Sequence, residues 1–144
     1  PVDRRQRQMC IRDRPIFGWY LKKIGSISIK RGQITKDNLS FYDEILSVVT
    51  NSDRPLIIFP QGTRVLPNER PPFKKGASRI YEKLKIACQP VAINSGYVWP
   101  KSGRKISNRT ITISIMQKIN NDLKKEVFLK TLENTIYSEL NLID

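Results

Sequence analysis

The 144-residue chain reads as an α/β fold, a mainly parallel sheet flanked by helices, and three observations lead there. Short apolar runs alternate with amphipathic stretches in strand–helix–strand order, the arrangement of right-handed crossovers on one sheet. Leu56–Phe59 (LIIF) is apolar without interruption, as in a strand covered on both faces in a parallel sheet. Hydrophobic residues make up 39% of the chain, enough for one modest core at roughly the 100–200 residues usual for a domain.

In chain order, Pro1–Arg14 stands apart. It holds five arginines (Arg4, Arg5, Arg7, Arg12, Arg14) and two acids, and it reads as a foreign or disordered basic end. A basic arm for nucleic acid or lipid is the alternative reading of these residues. The fold is assigned to residues 15–144 as one domain. Pro15–Gly25 (PIFGWYLKKIG) predicts a short aromatic-rich helix with Gly25 just past its end. Ser26–Lys30 alternates, with Ile27 and Ile29 on one face, and predicts a strand. Asp37–Thr50 places Leu39, Tyr42, Ile45, Leu46 and Val49 at helical spacing behind a capping Asp37. The pair Arg54–Pro55 ends that helix before the LIIF run, and Pro60–Pro72 is a loop rich in Pro, Gly, Asn and Arg.

Gly76–Ala87 predicts a helix from Ala77, Ile80, Tyr81 and Leu84. Gln89–Ile93 predicts a short buried strand, and Asn94–Asn108 a polar loop. In Arg109–Gln117, Ile111, Ile113 and Ile115 alternate with Thr110, Thr112 and Ser114, which predicts a half-buried strand near a sheet edge. Leu123–Leu140 predicts the last helix, with Leu129, Leu132, Ile136 and Leu140 on one stripe.

Charge narrows the function. Lys and Arg number 26 against 13 Asp and Glu, a formal charge of +13, and removing the first fourteen residues leaves 21 against 11, or +10. The expected partner is therefore anionic: a phosphorylated substrate, an acidic membrane surface or nucleic acid. The chain has no histidine, which removes Ser–His and Cys–His nucleophile pairs, a histidine base and His-ligated zinc. Cys10 and Cys88 lie far apart without CxxC spacing and read as reduced thiols. There is no helix–turn–helix, zinc or RNP-like pattern, and the basic residues are spread along the chain, so nucleic acid is not the expected partner.

The chemistry concentrates in Phe59–Arg64 (FPQGTR), where an apolar run gives way to a loop. Ligand sites of open α/β sheets lie at such strand ends. Gly62 lets backbone approach a ligand, Thr63 offers a hydroxyl and an amide, and Arg64 carries a planar fork suited to phosphate oxygens. The same residues also make an ordinary Pro–Gly turn with a solvated arginine. Lys74 and Lys75 stand before a helix start, itself favourable to anions.

FPQGTR resembles the FPEGTR block of the glycerolipid acyltransferases, specifically the 1-acylglycerol-3-phosphate (lysophosphatidate) acyltransferases. Gly25–Arg31 (GSISIKR) is similar to the preceding block of that family, Phe73–Gly76 (FKKG) to its following segment, and Pro90–Gly96 (PVAINSG) to a later one. Even Phe17–Gly25 (FGWYLKKIG) looks like the approach to the second block in bacterial members. The resemblance implies a glycerolipid-acyltransferase-like fold. It implies acyl transfer from acyl-CoA or acyl-carrier protein, as co-substrate, to the free hydroxyl of lysophosphatidate, giving phosphatidate for phospholipid synthesis without metal or prosthetic group. Carried over by position, Arg64 would bind the substrate phosphate with Gly62 and Thr63 shaping the turn, while Arg31 and Lys74 would be further phosphate or site-shaping contacts.

Two departures stand out. Gln61 takes the place of the usual Glu, which keeps hydrogen-bonding capacity but loses the charge. The H-x4-D block, whose histidine is the family's general base, is absent, so no catalytic residue is assigned here. The expectation is an N-terminally incomplete acyltransferase domain, inactive alone. The alternative is a non-catalytic basic module that binds phospholipid, with nucleic acid ranked behind. The resemblance also implies a peripheral place on the cytoplasmic face of the cell membrane. Phe17, Trp19 and Tyr20 beside Lys22 and Lys23, together with Tyr97–Trp99, are the candidate contacts with an anionic membrane surface.

Overall fold

Tertiary packing follows the helical periodicities closely and the strand patterns only in part. The computed structural model describes residues 16, 19, 20, 23, 37–52, 55–100, 105, 106 and 108–143. It divides into two compact units, Pro1–Pro55 and Leu56–Asp144.

In the first unit, helix α1 spans Asp37–Thr50 as expected. Ile45 is buried, Tyr42 and Val49 are half-buried, and Leu46 lies exposed at the margin of that stripe. Ile16, Trp19, Tyr20 and Lys23 are helical, and the Lys23 ammonium lies 5.5 Å from the centroid of the Trp19 ring one turn earlier. Gly25–Arg31, with the expected strand Ser26–Lys30 and the candidate Arg31, lies outside the described residues, as does Pro1–Arg14.

The second unit holds the rest: α2 (Lys75–Leu84), β1 (Val91–Ile93), a 3-10 turn (Ser95–Tyr97), β2 (Ile113–Ile115) and α3 (Lys125–Ile143). Helix α2 starts one residue earlier and stops three residues sooner than expected. Lys85 adopts a left-handed conformation (φ 50) and donates its amide to the Tyr81 carbonyl at 3.0 Å, which closes the helix. Phe73, Tyr81, Phe128 and Leu132 form the core, with Cys88, Ile119, Leu123, Leu129, Ile136 and Tyr137 packed around them. Tyr81 and Phe128 stack with centroids 3.7 Å apart and planes 4° from parallel, and each such buried ring contributes about 2–3 kcal/mol. The Tyr81 hydroxyl donates to the Asn120 carbonyl and accepts from the Leu123 amide at 3.3 Å, so its polar end is satisfied too.

The sheet differs from expectation. Among the described residues it has two strands, antiparallel, with Val91 opposite Ile115, Ala92 opposite Ser114 and Ile93 opposite Ile113. Cys88 and Ile119 continue the pairing, exchanging bonds of 2.9 and 2.8 Å. Among the described residues the segment joining β1 and β2 carries the 3-10 turn and no helix, and the second strand returns antiparallel. Leu56–Phe59, expected as a doubly covered strand, has no strand partner among the described residues, with Ile57 75% and Phe59 80% exposed. No described strand lies alongside to take its backbone groups.

The face assignment of β2 is also corrected. Helix α3 lies on the side of Ala92, Thr112 and Ser114, while Ile111, Ile113 and Ile115 are exposed. Small and hydroxyl side chains let the helix approach and supply partners for it: Ser114 Oγ donates to Glu139 at 2.5 Å, and Asn94 Nδ2 to the Ile143 carbonyl at 2.9 Å. Among the described residues no helix is long and apolar enough to cross a membrane.

Candidate functional site

The loop from Pro60 to Phe73 has an inner side tied to α3 and an outer side that carries cations. It opens with a tight turn in which the Gly62 amide donates to the Phe59 carbonyl at 3.0 Å. Gly62 has φ +70, a conformation costing an L-residue about 1–2 kcal/mol, so a residue without Cβ is required here. The Lys74 amide donates to the Pro60 carbonyl at 2.8 Å, and the aliphatic stem of Lys74 crosses Gly62 so closely that a Cβ there would lie 3.2 Å from its Cγ. The loop thus closes on itself, bringing Gly62 and Lys74 together.

Lys74 is also the residue before α2. No side chain caps that helix, and Gly76 is exposed with nothing within 4 Å of the position its Cβ would take. The Ala77 amide donates to the Lys74 carbonyl at 3.2 Å, while the amides of Lys75 and Gly76 have no partner among the described residues and carry the positive end of the helix dipole. Thr63 and Arg64 lie exposed one and two residues beyond Gly62, and among the described residues the Arg64 guanidinium has neither a hydrogen-bond nor an ion-pair partner. The nearby acid Glu69 is engaged by the Leu66 amide at 3.0 Å. Arg64, Lys74, Lys75 and the uncapped helix start make an outward cationic edge suited to a phosphate group.

Gln61 points the other way. Its Nε2 donates to the Tyr137 hydroxyl at 3.4 Å, and that hydroxyl donates in turn to the Pro71 carbonyl. The chain Gln61–Tyr137–Pro71 joins the two ends of the loop through one phenol. A carboxylate at position 61 could only accept from that hydroxyl and would compete with Pro71 for its proton. An amide lets both bonds form. Of the six residues expected to bind substrate, Gly62, Thr63, Arg64 and Lys74 lie on the outer side of the loop, Gln61 serves its inner side, and Arg31 lies outside the described residues.

Three further residues hold the loop, and the sequence reading missed them. Glu133, Tyr137 and Asn141 lie at i, i+4 and i+8 on α3. Glu133 accepts from the Phe73 amide at 2.7 Å, Tyr137 meets the Phe73 ring edge-on at 5.0 Å, and Asn141 accepts from Arg70 at 3.3 Å. Arg70 also bonds the Pro67 carbonyl and lies 5.7 Å from the Tyr137 ring centroid. The signal was a polar stripe at helical period beside the apolar one. Burial pushes the Tyr137 hydroxyl above its ordinary pKa, and Glu133 adds to this while Gln61 and Arg70 oppose it, so at neutral pH it keeps the proton it donates.

Neither a metal cluster nor an activated cysteine is found among the described residues. Burial raises the pKa of the Cys88 thiol and keeps it protonated, the reverse of what a reactive cysteine needs. Among the described residues no three His, Cys, Asp or Glu side chains come together.

The outward cationic loop lies within a segment of known kind. Residues 6–94 match the acyltransferase family, and the chain belongs to that family. It is 32% identical over 92 residues to the 1-acyl-sn-glycerol-3-phosphate acyltransferase of Pseudomonas aeruginosa, covering 62% of this chain and 34% of that protein. The protein of the same name from Saccharomyces cerevisiae is 32% identical over 93 residues, 62% of this chain and 30% of its own length. That from Helicobacter pylori is 28% identical over 127 residues, 87% of this chain and 53% of its own. The chain thus spans between 30% and 53% of the length of these three relatives. No solved structure matches it.

Proposed function

We propose that this chain carries the acceptor-binding part of a 1-acylglycerol-3-phosphate acyltransferase. The observation behind this reading is the Gly62–Arg64 turn, fixed from within by Tyr137 and facing outward beside Lys74 and the open start of α2. Arg64 grips two phosphate oxygens of lysophosphatidate, Lys74 neutralises further charge, and the amides of Lys75 and Gly76 donate to the remaining oxygen. In the whole reaction the acyl carbon leaves the thioester sulfur of acyl-CoA or acyl-carrier protein and bonds the acceptor oxygen. The hydroxyl proton is lost and the thiol is released. No histidine is present in the 144 residues, so the base is not assigned to any of them.

The acceptor and product are bilayer lipids, and the reading places the protein peripherally on the cytoplasmic face of the cell membrane. Trp19 and Tyr20, 61% and 53% exposed beside Lys23, are the contacts proposed in the first unit.

Calorimetric titration with glycerol 3-phosphate tests the phosphate assignment. Arg64→Gln is expected to weaken binding about tenfold or more, the worth of a charge-assisted bidentate contact, with thermal stability nearly unchanged. Equal affinity of the two proteins would refute the assignment. The absence of histidine also favours a second reading, a phospholipid-binding module without catalysis. It shares the binding result and departs from the first if the protein binds lysophosphatidate yet transfers no acyl group to it.

A further inference from the structure

Beyond β1 the chain makes a second cationic feature that the Arg64 site does not use. Residues 94–112 contain four basic residues, Lys101, Arg104, Lys105 and Arg109, and no acid. Asn94 anchors the base of this segment. Its amide donates to the Thr112 carbonyl at 3.3 Å, its side-chain oxygen accepts from the Thr112 amide at 2.8 Å, and its Nδ2 reaches the end of α3. The turn Ser95–Tyr97 follows, and the Ile106 amide returns to the Val98 carbonyl at 2.9 Å, so the described residues before and after positions 101–104 pair as the two arms of a hairpin.

A cavity of about 330 Å³ opens at its base, lined by Asn94, Tyr97, Arg109 and Thr110. That volume falls at the small end of the range of roughly 300–1,000 Å³ typical of ligand sites. Asn108, at φ 63, turns the backbone immediately before Arg109, whose guanidinium lies 5.9 Å from the Tyr97 ring centroid. The ring braces the guanidinium, and the cavity lining holds no acid to neutralise it. Farther out, Trp99 is 60% exposed with the Lys105 ammonium 4.4 Å from the centroid of its ring, and Ile106 is 46% exposed beside them. An exposed tryptophan and isoleucine beside a lysine ammonium fit the headgroup layer of an anionic bilayer in polarity and in charge.

We propose that the described arms of this hairpin, residues 94–100, 105, 106 and 108–112, dock on a bilayer: Arg109 takes the phosphate of an anionic glycerophospholipid headgroup in the cavity while Trp99 and Ile106 enter the interface. The proposal rests on the membrane part of the reading above and names where the second unit meets the lipid. Its place suits that role. A Cβ on Gly96 would lie 3.1 Å from Pro67 Cγ, so the hairpin base abuts the loop that carries Arg64 and would set that loop close to the bilayer surface.

The test is co-sedimentation of the 144-residue chain with phosphatidylcholine vesicles, with and without phosphatidylglycerol, in wild type, Arg109→Gln, Trp99→Ala and Arg64→Gln. Trp99 fluorescence is read in a Trp19→Phe background, where it is the sole tryptophan. Binding to the anionic vesicles is expected to fall about fivefold in Arg109→Gln, the ratio one basic residue is worth at an anionic leaflet, and further when Trp99→Ala is added. Trp99 emission should shift to the blue on anionic vesicles only. Both side chains are exposed, so neither variant threatens the fold.

Vesicle binding unchanged by Arg109→Gln and Trp99→Ala would overturn the proposal. So would an Arg109-dependent response to inorganic phosphate with none to vesicles, which would make the cavity a site for the free ion. Loss of glycerol 3-phosphate binding in Arg64→Gln reports on the acceptor site, whereas loss of vesicle binding in Arg109→Gln and Trp99→Ala reports on the hairpin, so the two failures are separated by variant as well as by experiment.

Discussion

The loop Pro60–Phe73 and the hairpin 94–112 both present an unopposed arginine, yet they are held in opposite ways. The first is clamped along its length by one stripe of α3: Gln61 and Pro71 through Tyr137, Phe73 through Glu133, Arg70 through Asn141. Among the described residues the second is fixed at its base by Asn94 and across its arms by the bond from Ile106 to Val98, and Trp99 and Tyr97 each lie under a cation. A clamp on both ends suits recognition of one small group at a set distance from reacting atoms. An arginine, a tryptophan and an isoleucine exposed on its arms suit instead a surface of many headgroups.

Removing the clamp is the largest test of this contrast. Phe73 is 5% exposed, packed in the core and edge-on to Tyr137. Phe73→Ala should cost about 3–5 kcal/mol in urea unfolding, the usual loss for a buried phenyl group and the cavity it leaves. Trp99→Ala in the hairpin should stay within about 0.5 kcal/mol of wild type, because little of that side chain is buried. Similar costs for the two would erase the distinction between a clamped loop and a free hairpin.

Gly62 offers a sharper intervention inside the clamped loop. Gly62→Ala should cost about 2 kcal/mol, from the left-handed conformation and from pressing the stem of Lys74 away from the turn. Glycerol 3-phosphate affinity should fall with it, since Lys74 leaves the edge it shares with Arg64. Gly76→Ala provides the contrast at the neighbouring glycine, where the added methyl meets nothing within 4 Å. Its stability should match or slightly exceed wild type, given the better helix propensity of alanine. A Gly62→Ala protein as stable as Gly76→Ala would show that the turn carries no strain.

The same contrast explains what could be read from sequence. Helices α1, α2 and α3 were legible because a 3.6-residue period states both the element and its covered face. The motif FPQGTR was legible because its chemistry is local: a glycine that must be flexible, and an arginine two residues on. The sheet was less so. Alternation in Arg109–Gln117 locates a strand, but it does not say which face a helix will choose, and α3 chose the side of Ala92 and Ser114 over the isoleucines. The apolar run Leu56–Phe59 likewise shows what would be buried if neighbours were present, without naming the neighbours. The clamp was hidden for a different reason. Gln61 and Tyr137 are 76 positions apart, and a polar stripe on an amphipathic helix ordinarily marks its solvent face.

The smallest effect reaches the clamp through one hydroxyl. Tyr137→Phe keeps the ring against Phe73 but leaves the Pro71 carbonyl and the Gln61 amide without their shared partner, at a cost of about 1 kcal/mol. Burial holds the Tyr137 proton more tightly in the folded chain than in the unfolded one, where it titrates near about pH 10. Its contribution is therefore fully present below about pH 10 and is lost as pH rises through the higher folded value. Urea midpoints of wild type and Tyr137→Phe should differ most near neutrality and converge in strong alkali. Other tyrosines titrate in both proteins, so the difference between the two curves is the informative quantity. A constant gap across that range would mean that the hydroxyl does not tie Gln61 to Pro71, and the clamp would then rest on Glu133 and Asn141 alone.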